Sequence, residues 1–271
     1  ENVDKFLVDP KYNTTLTDLC DWQPNIVFIC APTPSKTDGS IDTSILDEAV
    51  LKLINTTEAF IVIKSTVTPD AIERLTRYDS RIIYNPEFLR ESSAKADFID
   101  QRFQVMGATD QSAIQYLEGV YNALSLCNPA QTIGMTPVEA AFFKYAVNTF
   151  LAMKVTFFNQ LKDVMDDYGG SYNSLSRALM ADPRMGHSHM KIPGPDGKPG
   201  FGGGCFPKDL TAFVSFIENK TSVDPTLLKE VKTINDAIRS QFELTGREKA
   251  NNVNYGQAKE ELKDQDNGDI V

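Results

Sequence analysis

Two hundred and seventy-one residues, 41% hydrophobic and 24% charged, suit one large domain or two modest ones with a real core. The 27 Lys and Arg against 37 Asp and Glu leave a formal net charge of -10 with no basic cluster, so a binder of nucleic-acid phosphates is excluded. No apolar run reaches the roughly 18 residues of a membrane span and no signal-peptide pattern opens the chain, so a soluble cytoplasmic protein with no membrane partner is expected.

The chain opens on Glu1 and runs at once into the strand-like KFLVDP, which predicts a further element upstream. Asp9 would end the second strand of a dinucleotide-binding fold, where an acidic side chain accepts the ribose hydroxyls of NAD; an ordinary Asp before a turn is the other reading. The G-x-G-x-x-G turn of such a fold would lie about 20 residues earlier, before residue 1. Residues 26–30, 60–63, 81–84 and 103–107 are short β-prone runs, with helical spacing over 43–54 and 69–77. Strands alternating with helices predict an α/β chain whose residues 1–134 form an incomplete Rossmann-type parallel sheet domain.

IVFICA runs into APTP, so Thr33 faces either a cofactor crevice or a plain turn. The DGSID stretch that follows lacks the ligand count of a calcium loop. FIVIKS ends a second strand in the hydroxyls of Ser65 and Thr66. In NPEFLRES, Glu87 and Glu91 stand at i and i+4, a repelling pair on one face if the segment is helical, and such a pair is either solvated or functional.

From Pro137 to Tyr168 one long helix is predicted, with Pro137 in its first turn and Gly169-Gly170 at its end. Its apolar residues, among them Ala140, Phe143, Val147 and Leu151, recur at three- and four-residue steps, as in a domain spine or a dimer interface. It opens an all-helical central domain over residues 135–243, with further helices over 171–180, 209–218 and 225–242. Lys144 and Asn148, at i and i+4 among apolar neighbours, suit either oxyanion stabilisation or a snorkelling Lys beside a packing Asn. Residues 244–271 are polar and charged, and a disordered tail is expected there.

Cys20, Cys30, Cys127 and Cys205 lie far apart with no C-x-x-C pair, which excludes a zinc ribbon and argues against a disulfide framework. His187 and His189 lack companion ligands, so no metal is expected. The densest signal is GFGGGCFPKDL. Cys205 stands just before a predicted helix, where the helix N-terminus favours a thiolate, and Lys208 adds local positive charge. Asp209, four residues on, reaches the same site as a general base. Flexible glycines in place of an apolar setting favour a covalent nucleophile over a structural cysteine.

APTP, KSTVTP, NPEFLRES, KYAVNTFLAMKVTFFNQ, DPRMG and GFGGGCFPKD occur in this order, and the chain thereby resembles the UDP-glucose/GDP-mannose dehydrogenase family from about Asp9 to Leu210. What the resemblance implies is a four-electron oxidation of a nucleotide-sugar C6 alcohol to the carboxylate, reducing two NAD. Asp209 with a water would be the base of the first oxidation, and Cys205 would carry a thiohemiacetal and then a thioester. Lys144 and Asn148 would steady the oxyanions, and Thr66 and Glu87 would hold and activate the hydrolytic water. Asp9, Thr33, Thr66, Glu91 and Lys208 would lie near the cofactor; Phe88, Leu89, Arg90, Lys144, Asn148, Phe201 and Gly202 would lie near the UDP-sugar. NPEFLRE argues against the UDP-N-acetylmannosamine branch, and DPRMG favours UDP-glucose over GDP-mannose. The long helix, as a dimer interface, makes a homodimer the expected assembly. The family's first βα unit and its C-terminal nucleotide-binding domain are absent from the 271 residues, so a truncated, non-catalytic oligomerising form is the alternative from another class.

Overall fold

The apolar runs pair with one another in sequence order. β1 (Ile26–Ile29), β2 (Phe60–Ile63), β3 (Ile82–Tyr84), β4 (Phe103–Ala108) and β5 (Gln131–Met135) form one sheet in the order β1-β2-β3-β4-β5. The structure is a computed structural model that describes residues 3–90, 93–127 and 131–256. Three of the pairings are parallel, while β3 and β4 run antiparallel with Ile83 opposite Ala108 and Tyr84 opposite Gly107. The fold is α/β with a mostly parallel sheet, as the alternation implies. The direction of β4 was not legible, because apolar patterning predicts a strand and not its sense.

The described chain divides into two compact units, residues 3–33 with 41–144 and residues 34–40 with 145–256. The division falls inside the long helix. In the first unit, Val62, Ile83 and Met106 of the sheet pack on Ala113, Ile114 and Leu117 of α5 (Gln111–Leu124). α1 (Leu16–Trp22), α2 (Ser44–Thr56), α3 (Pro69–Thr76) and α4 (Ala94–Ile99) complete it. Pro69 sits in the first turn of α3, where its missing N–H costs nothing.

α6 (Pro137–Asp167) is the long helix. Thr136 and Glu139 form a capping box at its start: Thr136 N donates to Glu139 Oε2 at 2.8 Å and Glu139 N to Thr136 Oγ1 at 3.3 Å. Gly169, at φ +76°, ends it. The second unit adds α7 (Tyr172–Leu179), α8 (Phe206–Lys220), α9 (Thr226–Arg239) and α10 (Gly246–Ala250). One core gathers Ala152, Phe201, Leu210, Val214 and Val231; a smaller one gathers Phe158, Tyr172 and Met190.

Two expectations are corrected. Residues 5–8 form no strand: Thr14 Oγ1 donates to Leu7 O at 2.6 Å, and Leu7 is 61% exposed with no ladder partner among the described residues. The segment 245–255, expected to be disordered, holds helix α10, and its Glu248, Val253 and Tyr255 are buried. Its composition misleads because the polar groups are buried as partners of one another. Residues 257–271 of the expected tail lie outside the described residues. Among the described residues, no helix is long and apolar enough to cross a membrane.

Candidate active site

β1 and β2 run parallel, so their carboxyl ends stand side by side. Ligands of open α/β sheets bind outside such ends. There Thr33 Oγ1 donates to Thr66 O at 2.9 Å, and Ser65 Oγ donates to Ala31 O at 2.7 Å. The two loops read as cofactor-facing are thus tied together by buried hydroxyls. Asp9 does not end a strand: its carboxylate accepts from Lys11 N at 2.8 Å and caps a short 3-10 helix, Pro10–Tyr12.

Residues 85–90 have no helical structure, so Glu87 lies on no helix face. Glu91 lies outside the described residues. Glu87 is paired instead with Lys64, which follows directly on β2. Lys64 Nζ also donates to Asn85 Oδ1 at 2.7 Å and Tyr121 OH at 3.1 Å, and Asn85 is pinned by its Nδ2 on Val105 O at 2.7 Å. Burial lowers the Lys64 pKa from its ordinary value against the opposing pull of the Glu87 charge. Burial raises that of Tyr121, with Glu87 adding to it. Lys144 Nζ donates to the backbone oxygen of Glu87 and lies 5.2 Å from the Phe88 ring centroid. Phe88 packs with Phe103 and Phe143 at centroid distances of 5.5 Å. Glu87 is therefore gripped at both ends, its carboxylate by Lys64 and its carbonyl by Lys144. Arg90, mostly exposed, forks onto Asp97 of α4 with a shortest contact of 2.6 Å, and that bond holds Asp97 well below the usual carboxylate range.

In the second unit Cys205 is exposed and occupies the N-cap position of α8. Asp209 N donates to Cys205 O at 2.8 Å, which puts the two residues one helical turn apart. The Asp209 carboxylate is only 1% exposed. Its Oδ2 accepts from Asn148 Nδ2 at 2.5 Å and its Oδ1 from Lys208 Nζ at 2.7 Å. A buried carboxylate held by one amide and one ammonium has both oxygens oriented and its charge compensated. Lys208, expected near the cofactor, makes this pair with Asp209.

Three side chains from three elements hold the glycine loop before Cys205. Gly200 N donates to Asn159 Oδ1 at 2.9 Å, Phe201 N to Asn235 Oδ1 at 2.7 Å and Gly203 N to Glu248 Oε1 at 3.2 Å. Gly200 and Gly203 have φ of +73° and +79°, a region that favours glycine. A Cβ on Gly202 would fall 2.6 Å from Glu248 Oε1, so that position admits no side chain. Phe201 sends its ring into the core, and Asn235 takes both its N–H and its carbonyl. Among the described residues, no group of three His, Cys, Asp or Glu could hold a metal ion.

The sequence reading missed Lys64, Asn85 and Tyr121 in the first unit. A lysine directly after a run apolar on both faces was the available signal for Lys64. It also missed Asn159, Asn235, Arg239, Glu248 and Tyr255 in the second. For Glu248 the signal was T-x-x-E over 245–248, a capping box.

Residues 12–125 match the NAD binding domain of the UDP-glucose/GDP-mannose dehydrogenase family, and residues 138–237 match its central domain. The chain is 35% identical over 214 residues to a UDP-glucose 6-dehydrogenase of Rickettsia felis, covering 76% of this chain and 46% of that protein. It is 36% identical over 203 residues to the corresponding enzyme of Rhizobium meliloti, covering 70% and 45%. A solved UDP-glucose dehydrogenase from Pyrobaculum islandicum superposes with a TM-score of 0.72 at 31% identity, over 83% of this chain and 52% of that one. The chain thus spans about half the length of the relatives it matches.

Proposed function

From the premise that this chain belongs to the UDP-glucose/GDP-mannose dehydrogenase family, we propose that it serves an NAD-dependent, four-electron oxidation of UDP-glucose to UDP-glucuronate through a thioester on Cys205. The observation that carries this reading is Cys205 at the start of α8 with Asp209 one turn on, its buried carboxylate oriented by Asn148 and Lys208. Asp209, through a water, takes the proton of the C6 hydroxyl. NAD, when bound, takes up the hydride in each of the two oxidations. The Cys205 sulfur adds to the aldehyde carbon, and the thiohemiacetal that forms loses a second hydride and its hydroxyl proton to become a thioester. Water then attacks the thioester carbonyl, releasing carboxylate and regenerating the thiol.

Asn148 and Lys144 are the donors for the oxyanions of these steps, and Thr66 with Glu87 hold and polarise the hydrolytic water. The grip of Lys64 on the Glu87 carboxylate supports that last role, since a water-activating carboxylate must be ionised and aimed. Thr33 and Thr66 at the sheet edge support cofactor binding by the first unit. A homodimer through α6 is part of the proposal. Phe150, Phe157 and Val164 recur every seven residues and are 57%, 54% and 64% exposed, an apolar stripe that a second copy would cover.

Incubation with NAD and UDP-glucose, beside GDP-mannose, tests the reading. Two NADH per UDP-glucose is the expected result, and preferential oxidation of GDP-mannose would shift the substrate to the other branch of the family. No NADH with either sugar overturns the assignment. Cys205→Ser should stall before carboxylate release, and unimpaired glucuronate formation by that variant would refute the thioester route.

A further inference from the structure

Glu248 is 0% exposed, which its helix does not require. α10 is closed by a capping box in which Thr245 N donates to Glu248 Oε2 at 2.6 Å. The boxes Thr15–Asp18 and Thr136–Glu139 do the same work with carboxylates that stay exposed. Capping therefore accounts for Oε2 and leaves the burial of Oε1 to be explained.

Oε1 receives three donors: Gly203 N at 3.2 Å, Arg239 Nη2 at 2.8 Å and Tyr255 OH at 2.5 Å. Arg239 is 1% exposed and reaches on to Asp196 Oδ2 at 2.8 Å. Burial alone would raise the Glu248 pKa, but the Tyr255 and Thr245 hydrogen bonds and the Arg239 charge bring it down to about 2. Asn251, which ends α10, leaves so little room that a Cβ on Gly204 would fall 2.6 Å from its Nδ2. α10 is thus packed against the backbone of residues 202–204 as a template for it.

The position of that template in the chain gives it a consequence. Phe201 is held by Asn235, whose Nδ2 also donates to Phe201 O at 3.0 Å, and Phe206 is the first residue of α8. Three glycines and Cys205 lie between, and glycines have the widest choice of backbone conformation. The Gly203 amide is anchored within that span, two residues before the cysteine.

We infer that Glu248 is a positioning residue for Cys205, acting through the Gly203 amide to set where the thiol stands at the start of α8. The inference rests on the reading of Cys205 as the nucleophile, and its test does not use turnover. Cys205 is already exposed, so loosening the loop gains little access and loses the constant placement of the sulfur at the helix N-terminus.

The measurement is the rate of alkylation of each cysteine by iodoacetamide at pH 7, by peptide mass mapping, at a temperature well below the melting point of every variant. Glu248→Ala should slow Cys205 by about fivefold or more while Cys30 and Cys127 keep their rates. Glu248→Gln keeps an acceptor for Gly203 N but removes the charge that compensates Arg239. It should melt lower than the parent and leave the Cys205 rate within about twofold, a rescue that a purely structural role does not give. Should Glu248→Ala fail to fold, Glu248→Asp keeps the charge, withdraws the carboxylate from Gly203 by one methylene, and should slow Cys205 in the same selective way. An unchanged Cys205 rate in the folded Ala or Asp variant overturns the inference. So does a change shared equally by all three thiols. Loss of NADH formation with these rates intact would count against the enzymatic reading and not against this one.

Discussion

Arg239→Met and Lys64→Met remove the cation from two buried ion pairs, and the structure assigns them very different costs. Arg239 is 1% exposed and its partner Glu248 is 0% exposed. Without the guanidinium, Glu248 keeps only neutral donors, from Gly203, Thr245 and Tyr255, and no route to water. Stranding such a charge costs about 3–5 kcal/mol. At about 2–4 °C per kcal/mol for a chain of this size, the melting temperature should fall by roughly 6–20 °C. Lys64 is also buried, but its partner Glu87 is 27% exposed and can turn to solvent once released. The lysine itself sits at a cost, since burial lowers its pKa from the ordinary value even beside a carboxylate. Methionine fills the stem and relieves that cost, so the net loss should be about 1 kcal/mol or less. Turnover should nonetheless drop, because nothing then aims the Glu87 carboxylate. Thermal melts and urea titrations at pH 7 decide the matter. Two variants that melt within about 2 °C of each other, or in reversed order, would refute the argument that the stranded partner sets the cost.

Other outcomes follow from single positions. Gly119 lies in α5 with open space where a Cβ would go, so Gly119→Ala should stabilise by about 0.5–1 kcal/mol in urea titration. Gly200→Ala combines φ of +73° with a Cβ 2.7 Å from Asn235 Oδ1 and should cost about 2 kcal/mol or more by the same measurement. Asn148→Ala removes the amide from Asp209 Oδ2 and should cost about 1–3 kcal/mol of stability, with kcat falling more than KM; an unchanged kcat would remove Asn148 from the base's support. Glu248 has its folded pKa brought down to about 2, so its stabilisation is complete above the unfolded carboxyl value of about 4.3 and is lost as pH falls toward 2. Melting temperature between pH 5 and pH 2.5 should fall less steeply in Glu248→Gln than in the parent; equal slopes would show that Glu248 does not carry that acid sensitivity.

Apolar patterning determined much of this protein by itself. Short β-prone runs that alternate with helical stretches imply strands of a covered sheet, so the β1–β4 segments and the α/β class were legible. Apolar residues at three- and four-residue steps between Pro137 and Gly169 left no alternative to one long helix. Cys205 just ahead of a helix start and Asp209 four residues on were legible as neighbours, because their proximity is a property of helical geometry alone.

What only the tertiary structure decided is which distant polar groups satisfy one another. Asn148 and Asp209 are 61 residues apart, Lys144 and Glu87 are 57 apart, and Gly203 and Glu248 are 45 apart. Local sequence gives each residue a chemistry without a partner, and for a buried polar group the partner is what decides whether it is tolerated. The same reason explains the tail: residues 245–255 read as polar and unstructured because Glu248 and Tyr255 are suited to a core only when Arg239, from another helix, is already there. Desolvation makes these pairings obligatory, and only the folded chain specifies them.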